Sequence, residues 1–279
     1  MKPVKSPLPA KRHSISEKDM EAVYHLWDDL DRIAIGETDK ALRHLALGLA
    51  NLLGADNVRW MAAVRVLQGV QAKADPLLGW RLRASYDLVP DSEDYLKLIA
   101  PMYHRNNRLD PSFLIGLATH TMVEEAGKFR VHRLRDGWIP FRKFSQSEHY
   151  RLHYTELGIT DRIWISFPLN ADTESIFLID RTRPGHFQKK DASLAGTILR
   201  AIRGFHRRLF LSRGLHIAEK PLSPVFQRIV RLLLSGKSEK EIASSMDQSV
   251  TTTHKHITSI YGLFGVKSRA ALMALWLGA

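Results

Sequence analysis

The residues best suited by type and spacing to do chemistry lie between Ser249 and Lys267. If that stretch is helical, Thr251, Thr252, His254, Lys255 and Thr258 share its outward side, and no carboxylate occurs anywhere within it. A solvated helix ordinarily mixes both signs of charge. A helix seated in the major groove of a duplex excludes acids, which phosphates repel, and needs hydroxyls or cations to reach base edges. Other constellations offer less. His149 and His153 stand at i, i+4, a spacing that can hold a metal ion on one helical face, but no glutamate follows the first histidine, and they read as a solvent-facing pair. His132-Arg-Leu-Arg-Asp136 has the outline of a kinase catalytic loop without an accompanying Gly-rich loop. No nucleophile elbow and no P-loop occur. The absence of cysteine removes thiolate nucleophiles, disulfides and Cys-ligated metals. The chain therefore reads as non-enzymatic, with no cofactor and no metal.

The elements that must position the hydroxyl-and-cation side are marked by their caps. Ser223-Pro224 opens a helix with an N-cap serine and proline at the first helical position. Phe226, Ile229, Val230 and Leu233 follow at helical spacing, and Gly236 ends it. Ser238 with Glu241 makes a capping box for a second helix carrying Ile242, Ala243 and Met246. Asp247-Gln248 is a turn. Ser249 caps the third helix, whose inward stripe is Thr253, Ile257, Ile260 and Phe264, closed by Gly265. Ser268 caps a fourth with Leu272, Leu275 and Trp276. Four short helices with a tight turn between the second and third form the helix-turn-helix arrangement.

The rest of the chain differs in kind. Its 279 residues carry 41 Lys and Arg against 29 Asp and Glu, a net charge of +12, which favours a polyanionic partner. With 44% hydrophobic residues the composition is that of a folded protein, and the length suits two domains. No apolar run is long enough for a bilayer and the amino terminus has no apolar core, so the expectation is a soluble, cytoplasmic protein without membrane contact. Residues 1–14 read as a disordered tail. Helices are expected from Ser16 and over Thr38 to Leu53. Period-two alternation predicts a strand from Val58 and another placing Trp80, Leu82, Ala84, Tyr86 and Leu88 on one face. A helix is expected over Asp91 to Tyr103, and a hairpin joins Arg162–Leu169 to Ser175–Asp180. One helix from Lys189 to Leu211 carries the stripe Leu194, Ile198, Ala201, Phe205 and Leu209, which would couple the two domains.

The C-terminal segments Leu222-Ser-Pro, Leu233-Leu-Ser-Gly-Lys-Ser-Glu-Lys-Glu-Ile-Ala243, Ser249-Val-Thr-Thr-Thr-His-Lys-His-Ile257 and Ile260-Tyr-Gly-Leu-Phe-Gly-Val-Lys-Ser-Arg-Ala270 resemble, in order and spacing, the LuxR-type (GerE-like) helix-turn-helix of bacterial transcription regulators. The resemblance implies sequence-specific binding to double-stranded DNA as a homodimer. It implies base contacts from His254, Lys255 and Thr258, to which the outward face adds Thr251, and backbone contacts from Lys240, Thr252, Lys267, Ser268 and Arg269. Two positions depart from the family: Val225-Phe226 replaces its usual Arg-Glu pair, which would remove an ion pair, and His254 replaces its usual recognition-helix Lys. His256 matches a common family histidine, read as packing.

The order of elements upstream resembles a PAS/GAF-like α+β sensor domain, an antiparallel sheet with covering helices that hold a small ligand. Tyr103 to Pro111, Trp138 and Gly158-Ile-Thr-Asp161 also resemble the autoinducer-binding domain of part of the LuxR group. Lys97 and Pro101 stand where that domain carries an aromatic pair, so no acyl-homoserine lactone is expected. Tyr103, Asp110 and Trp138 are the pocket candidates for an unidentified small molecule. A phosphoreceiver domain is not expected, because Asp28, Asp29 and Asp31 fall within a helical pattern. The expected boundaries are a sensor or dimerisation domain at 15–213, a linker at 214–221 and the DNA-binding domain at 222–279. The alternatives are a ligand-binding or enzymatic domain tethered to DNA, which a buried cluster of ionisable groups would favour, or a constitutive ligand-free dimer.

Overall fold

The computed structural model of the chain describes residues 15–104, 108–109, 114–215 and 222–277. The expected tail at 1–14 and most of the expected linker lie outside them. Two helices come first, α1 (Glu17–Arg32) and α2 (Thr38–Leu53). Ser16 caps α1 by accepting from the Asp19 amide, and Gly54 closes α2 at φ 57°, where a side chain would be strained. Next come β1 (Asn57–Arg65), α3 (Gly69–Ala74), β2 (Trp80–Asp87), α4 (Glu93–Ile99), the short strands β3 (Tyr103–His104) and β4 (Arg108–Leu109), α5 (Leu117–Glu124) and β5 (Arg130–Arg133). Single turns α6 (Phe141–Phe144) and α7 (Glu148–Tyr150) lead into a π-helical turn at Arg151–Thr155. The hairpin β6 (Asp161–Asn170) and β7 (Thr173–Arg181) precedes α8 (Lys189–Ala201) and α9 (Arg203–Leu211).

This is the expected α+β arrangement. Five strands form one antiparallel sheet in the order β2-β1-β7-β6-β5. One face packs Val58, Trp60, Ile163, Phe177 and Ile179 against α1, α2, α8 and α9. On the other, Trp164 and Leu178 meet Phe144 and Tyr154. Because both faces are covered, the hairpin strands read as nearly continuous apolar runs.

Three expectations change. The helix expected over Asp91 to Tyr103 is only α4, followed by a 3-10 turn at Ala100–Met102 and by β3. Ala62 pairs with Ala84, but Ala63 pairs with Leu82, so Arg83 is an extra residue in β2. This β-bulge reverses the alternation. Ala84, Tyr86 and Leu88 stay on the core face, whereas Trp80 and Leu82 turn to a cavity on the other side. The single helix over Lys189 to Leu211 is two, broken at Ile202 with φ −99° and ψ 45°. Gly204 weakens helix there, and the buried His206 bonds across the break to the Leu199 carbonyl at 2.8 Å. The buried stripe accordingly shifts, from Leu194, Ala195, Ile198 and Leu199 in α8 to Phe205, His206, Leu209 and Phe210 in α9. Ala201 is exposed.

The C-terminal helices α10 (Pro224–Leu234), α11 (Glu239–Met246), α12 (Val250–Leu263) and α13 (Arg269–Leu277) start at the predicted serines. Asp247 closes α11 in the left-handed region at φ 53°. Their core joins Ile229, Val230, Leu233, Ile242, Ile257, Ile260, Phe264, Leu272 and Trp276. This core also takes in Leu211 of α9 and Ile35 from the α1–α2 turn, so the two halves share packing. Asp39, in the first turn of α2, accepts from both Arg213 and Arg231 at 2.9 Å. Arg213 in turn lies over the Trp60 ring, 4.6 Å from its centroid. Asp39→Ala should remove the carboxylate partner of the part-buried Arg213 and lower the free energy of unfolding by about 1 kcal/mol, read by urea unfolding. An unchanged unfolding midpoint would show that the clasp holds nothing.

Candidate functional site

The capping box at Ser238 and the left-handed Asp247 fix how α11 delivers the chain into α12. Thr253, Ile257 and Ile260 anchor the inner side of α12, leaving Thr251, Thr252, His254, Lys255 and Thr258 exposed as expected. Four of these, Thr251, His254, Lys255 and Thr258, fall at i, i+3, i+4 and i+7 and form one stripe. At the helical rise the stripe is about 10 Å long, the height of roughly three base pairs. Lys255 forms no ion pair among the described residues. The Thr258 hydroxyl donates to the His254 carbonyl at 3.0 Å, which leaves its lone pairs free to accept. His254 Nδ1 lies 3.0 Å from a carboxylate oxygen of Glu239.

Of the residues expected at the DNA backbone, Lys240, Thr252, Lys267 and Ser268 are exposed. Arg269 differs: its guanidinium donates to the carbonyls of Gly236 and Lys237, fastening the start of α13 to the loop after α10. Where the family's Arg-Glu pair is missing, Phe226 meets the His256 ring nearly edge-on at 5.5 Å, so that corner is held by aromatic packing.

The second site is a cavity of about 250 Å³ on the outer face of the sheet. Met61 of β1, Trp80 and Leu82 of β2, Ile99 of α4, Met122 of α5 and Trp164 of β6 supply apolar wall. Charged groups stand at both ends, Arg81 and Glu174 at one and Arg59, Asp87, Asp91 and Arg162 at the other. Arg59 donates to Asp87 and, at 2.5 Å, to Asp91. Burial disfavours the Arg59 cation, yet the two carboxylates outweigh that and raise its pKa. Burial likewise pushes the Asp87 carboxyl up, against the pull of Arg59. Arg162 donates to Asp180 at 2.5 and 2.8 Å and lies over the Tyr154 ring. Its pKa is raised because Asp180 overcomes the desolvation that would lower it.

His149 and His153 also line this cavity, with ring centroids 4.3 Å apart. They are not the solvent-facing pair that their spacing suggested. His149 sits in α7 and His153 in the π-helical turn that follows, and burial, followed by His153 and Arg162, pushes His149 down to about 3. Trp138 does not line the cavity. It stacks on His132 at 4.5 Å and stands edge-on behind Trp164 at 5.0 Å, donating to the Arg133 carbonyl. Asp110 lies outside the described residues, and of Tyr103 only the backbone is described. The sequence reading missed Arg59, Asp87, Asp91, Arg162 and Asp180. The available signal was Arg162 and Asp180 inside otherwise apolar strands, and a polar alternation in β2 that faces a hollow rather than water.

Exposed hydroxyls and a cation on a capped, acid-free second helix of a helix-turn-helix define a DNA-binding module. Residues 220–276 match the family model described as bacterial regulatory proteins, luxR family; the C-terminal domain is a LuxR-family helix-turn-helix. Over 57 residues the chain is 40% identical to a probable HTH-type transcriptional regulator, GfsR, of Streptomyces halstedii; that match takes in 20% of this chain, which spans only 24% of the length of that curated relative. Among solved structures, SdiA in complex with octanoyl-rac-glycerol aligns over 94% of this chain and 95% of its own, at 14% identity and TM-score 0.46. The LBD domain of VqsR from Pseudomonas aeruginosa aligns over 69% of this chain and 96% of its own, at 13% identity and TM-score 0.43. No helix among the described residues is long and apolar enough to cross a membrane.

Proposed function

We propose that this chain regulates transcription by binding a specific DNA sequence as a homodimer, under the control of a small amphipathic molecule held in the N-terminal cavity. The observation that carries the reading is the exposed, acid-free stripe Thr251, His254, Lys255 and Thr258 on α12. A stripe that covers roughly three base pairs specifies too little sequence alone, and two copies on half-sites one helical turn apart supply the rest. Residues 15–213 act as the sensor and 222–279 as the DNA-binding domain. A ligand alters occupancy of DNA only by favouring one arrangement of the two.

The ionisable cluster around Arg59 and Arg162 is the feature expected of a ligand-binding or enzymatic domain tethered to DNA, so it supports ligand binding in preference to a purely structural dimerisation domain and keeps that alternative as the second reading. Its guanidinium–carboxylate pairs suit recognition of polar groups on an otherwise apolar molecule. Lys255→Ala should weaken binding to a selected duplex roughly tenfold at fixed salt while leaving thermal unfolding unchanged. Equal affinity of variant and parent would remove α12 from the groove. Native mass spectrometry of protein purified from its own host should show a dimer with a retained small molecule; protein free of any such mass would leave the cavity without its assigned role.

A further inference from the structure

His254 does not present itself to a duplex as a lysine would. Its ring is 65% exposed, and Glu239, 39% exposed, reaches it from the first turn of α11. The two carboxylate oxygens lie 3.0 and 3.3 Å from Nδ1. A carboxylate only accepts, so Nδ1 carries the proton of that bond. Nε2, on the far side of the ring, is then the atom left for a partner. A lysine is a long point charge that can swing between phosphates, whereas an imidazole pinned at one edge holds one nitrogen in one place. Glu239 is free for this task because the cap of α11 is made by Ser238 with Glu241. Buried Ile242, Ala243, Thr253 and Ile257 fix the two helices against each other.

Glu239 is also the acid nearest the stripe, and a carboxylate at a DNA surface opposes binding to every sequence alike. A residue that costs general affinity while orienting a groove-facing ring has a selective effect. Resting on the DNA-binding reading above, we propose that Glu239 is a specificity-determining residue: it holds His254 so that Nε2 reads one base pair, and its charge suppresses binding to unrelated DNA. It acts through His254 as a positioning residue. The neutral ring accepts from the exocyclic amine of adenine or cytosine, and the charged ring donates to guanine or thymine. The selected base identifies the form at work.

The test uses the full chain and a random-sequence duplex library, followed by titration of the winning duplex and a scrambled one at fixed salt. Glu239→Ala should flatten the preference at a single base pair, roughly tenfold, keep the preferences elsewhere, and bind the scrambled duplex roughly threefold more tightly, as removal of one unit charge about 5 Å from a phosphate predicts. His254→Ala should flatten the same base pair, and the double variant should flatten it no further. Glu239→Gln, which keeps an acceptor for Nδ1, should retain the preference while still gaining on the scrambled duplex. If Glu239→Ala leaves every preference intact, or erodes all of them together, the proposal is overturned. If the parent chain itself selects no sequence, the DNA-binding reading is what fails.

Discussion

Replacing Asp180 with Ala should lower the free energy of unfolding by about 3–5 kcal/mol. Asp180 and Arg162 face each other directly across β6 and β7, and their side chains are only 3% and 6% exposed. Two charges taken out of water roughly offset their own desolvation when paired. Deleting one strands the other, and Arg162 cannot shed its proton at any ordinary pH. The loss thus comes from an uncompensated buried guanidinium, which also loses both hydrogen bonds. Removing both charges together, with Arg162→Met and Asp180→Leu, should recover much of the stability, because well-packed apolar residues replace an ion pair with little penalty. Urea unfolding of the three proteins checks this. A single variant within 1 kcal/mol of the parent would mean that the pair is more hydrated than its burial implies.

Acid should destabilise the fold well before carboxylates dominate. His206 is fully buried, stacked on Phe167 at 4.2 Å. Trp60 Nε1 donates to Ser175 Oγ at 2.9 Å, so the serine hydroxyl donates onward to His206 Nδ1 at 2.8 Å. His206 Nε2 then carries the proton given to the Leu199 carbonyl. Every position in this relay is filled by a neutral ring. Burial holds His206 at about 4, with the Leu199 bond opposing and Arg203 assisting. His149 is held at about 3. Both folded values lie below the unfolded value of 6.5, so the stabilisation is fully present above pH 6.5. It is lost as pH falls, through pH 4 for His206 and pH 3 for His149. At pH 5 each histidine removes about 2 kcal/mol. His206→Asn should be less stable than the parent at pH 7.5 yet lose about 2 kcal/mol less between pH 7.5 and pH 5. Parallel pH profiles for the two proteins would contradict this account.

The C-terminal domain was readable in the sequence because its signals are local. Caps, a left-handed turn and an inward stripe depend on neighbours three or four residues away, and Ser223, Ser238, Ser249 and Ser268 each do what their position implies. The hairpin was legible for the same reason. The cavity was not, because its parts converge from distant segments. Arg59 meets Asp91 across 32 residues, and Arg162 meets Asp180 only once the hairpin has closed in register. Period counting also assumes an unbroken lattice. One extra residue, Arg83, inverts half a strand, and one non-helical residue, Ile202, rotates the stripe of the helix that follows. His149 and His153 still meet as their spacing implies, but the face they share turns to a hollow assembled from distant segments, which spacing alone does not reveal.

Adjacent residues of β1 look into different rooms. Met61 forms part of the floor of the hollow, and Trp60, one residue earlier, is the bench on which Arg213 rests. That arginine shares Asp39 with Arg231 at the shoulder of the reading head. Both side chains hang from one short length of backbone, so the proposed small molecule, if it displaced Met61, would act on Trp60 as well. Among the described residues, the hollow and the reading head are linked through Met61, Trp60, Arg213, Asp39 and Arg231.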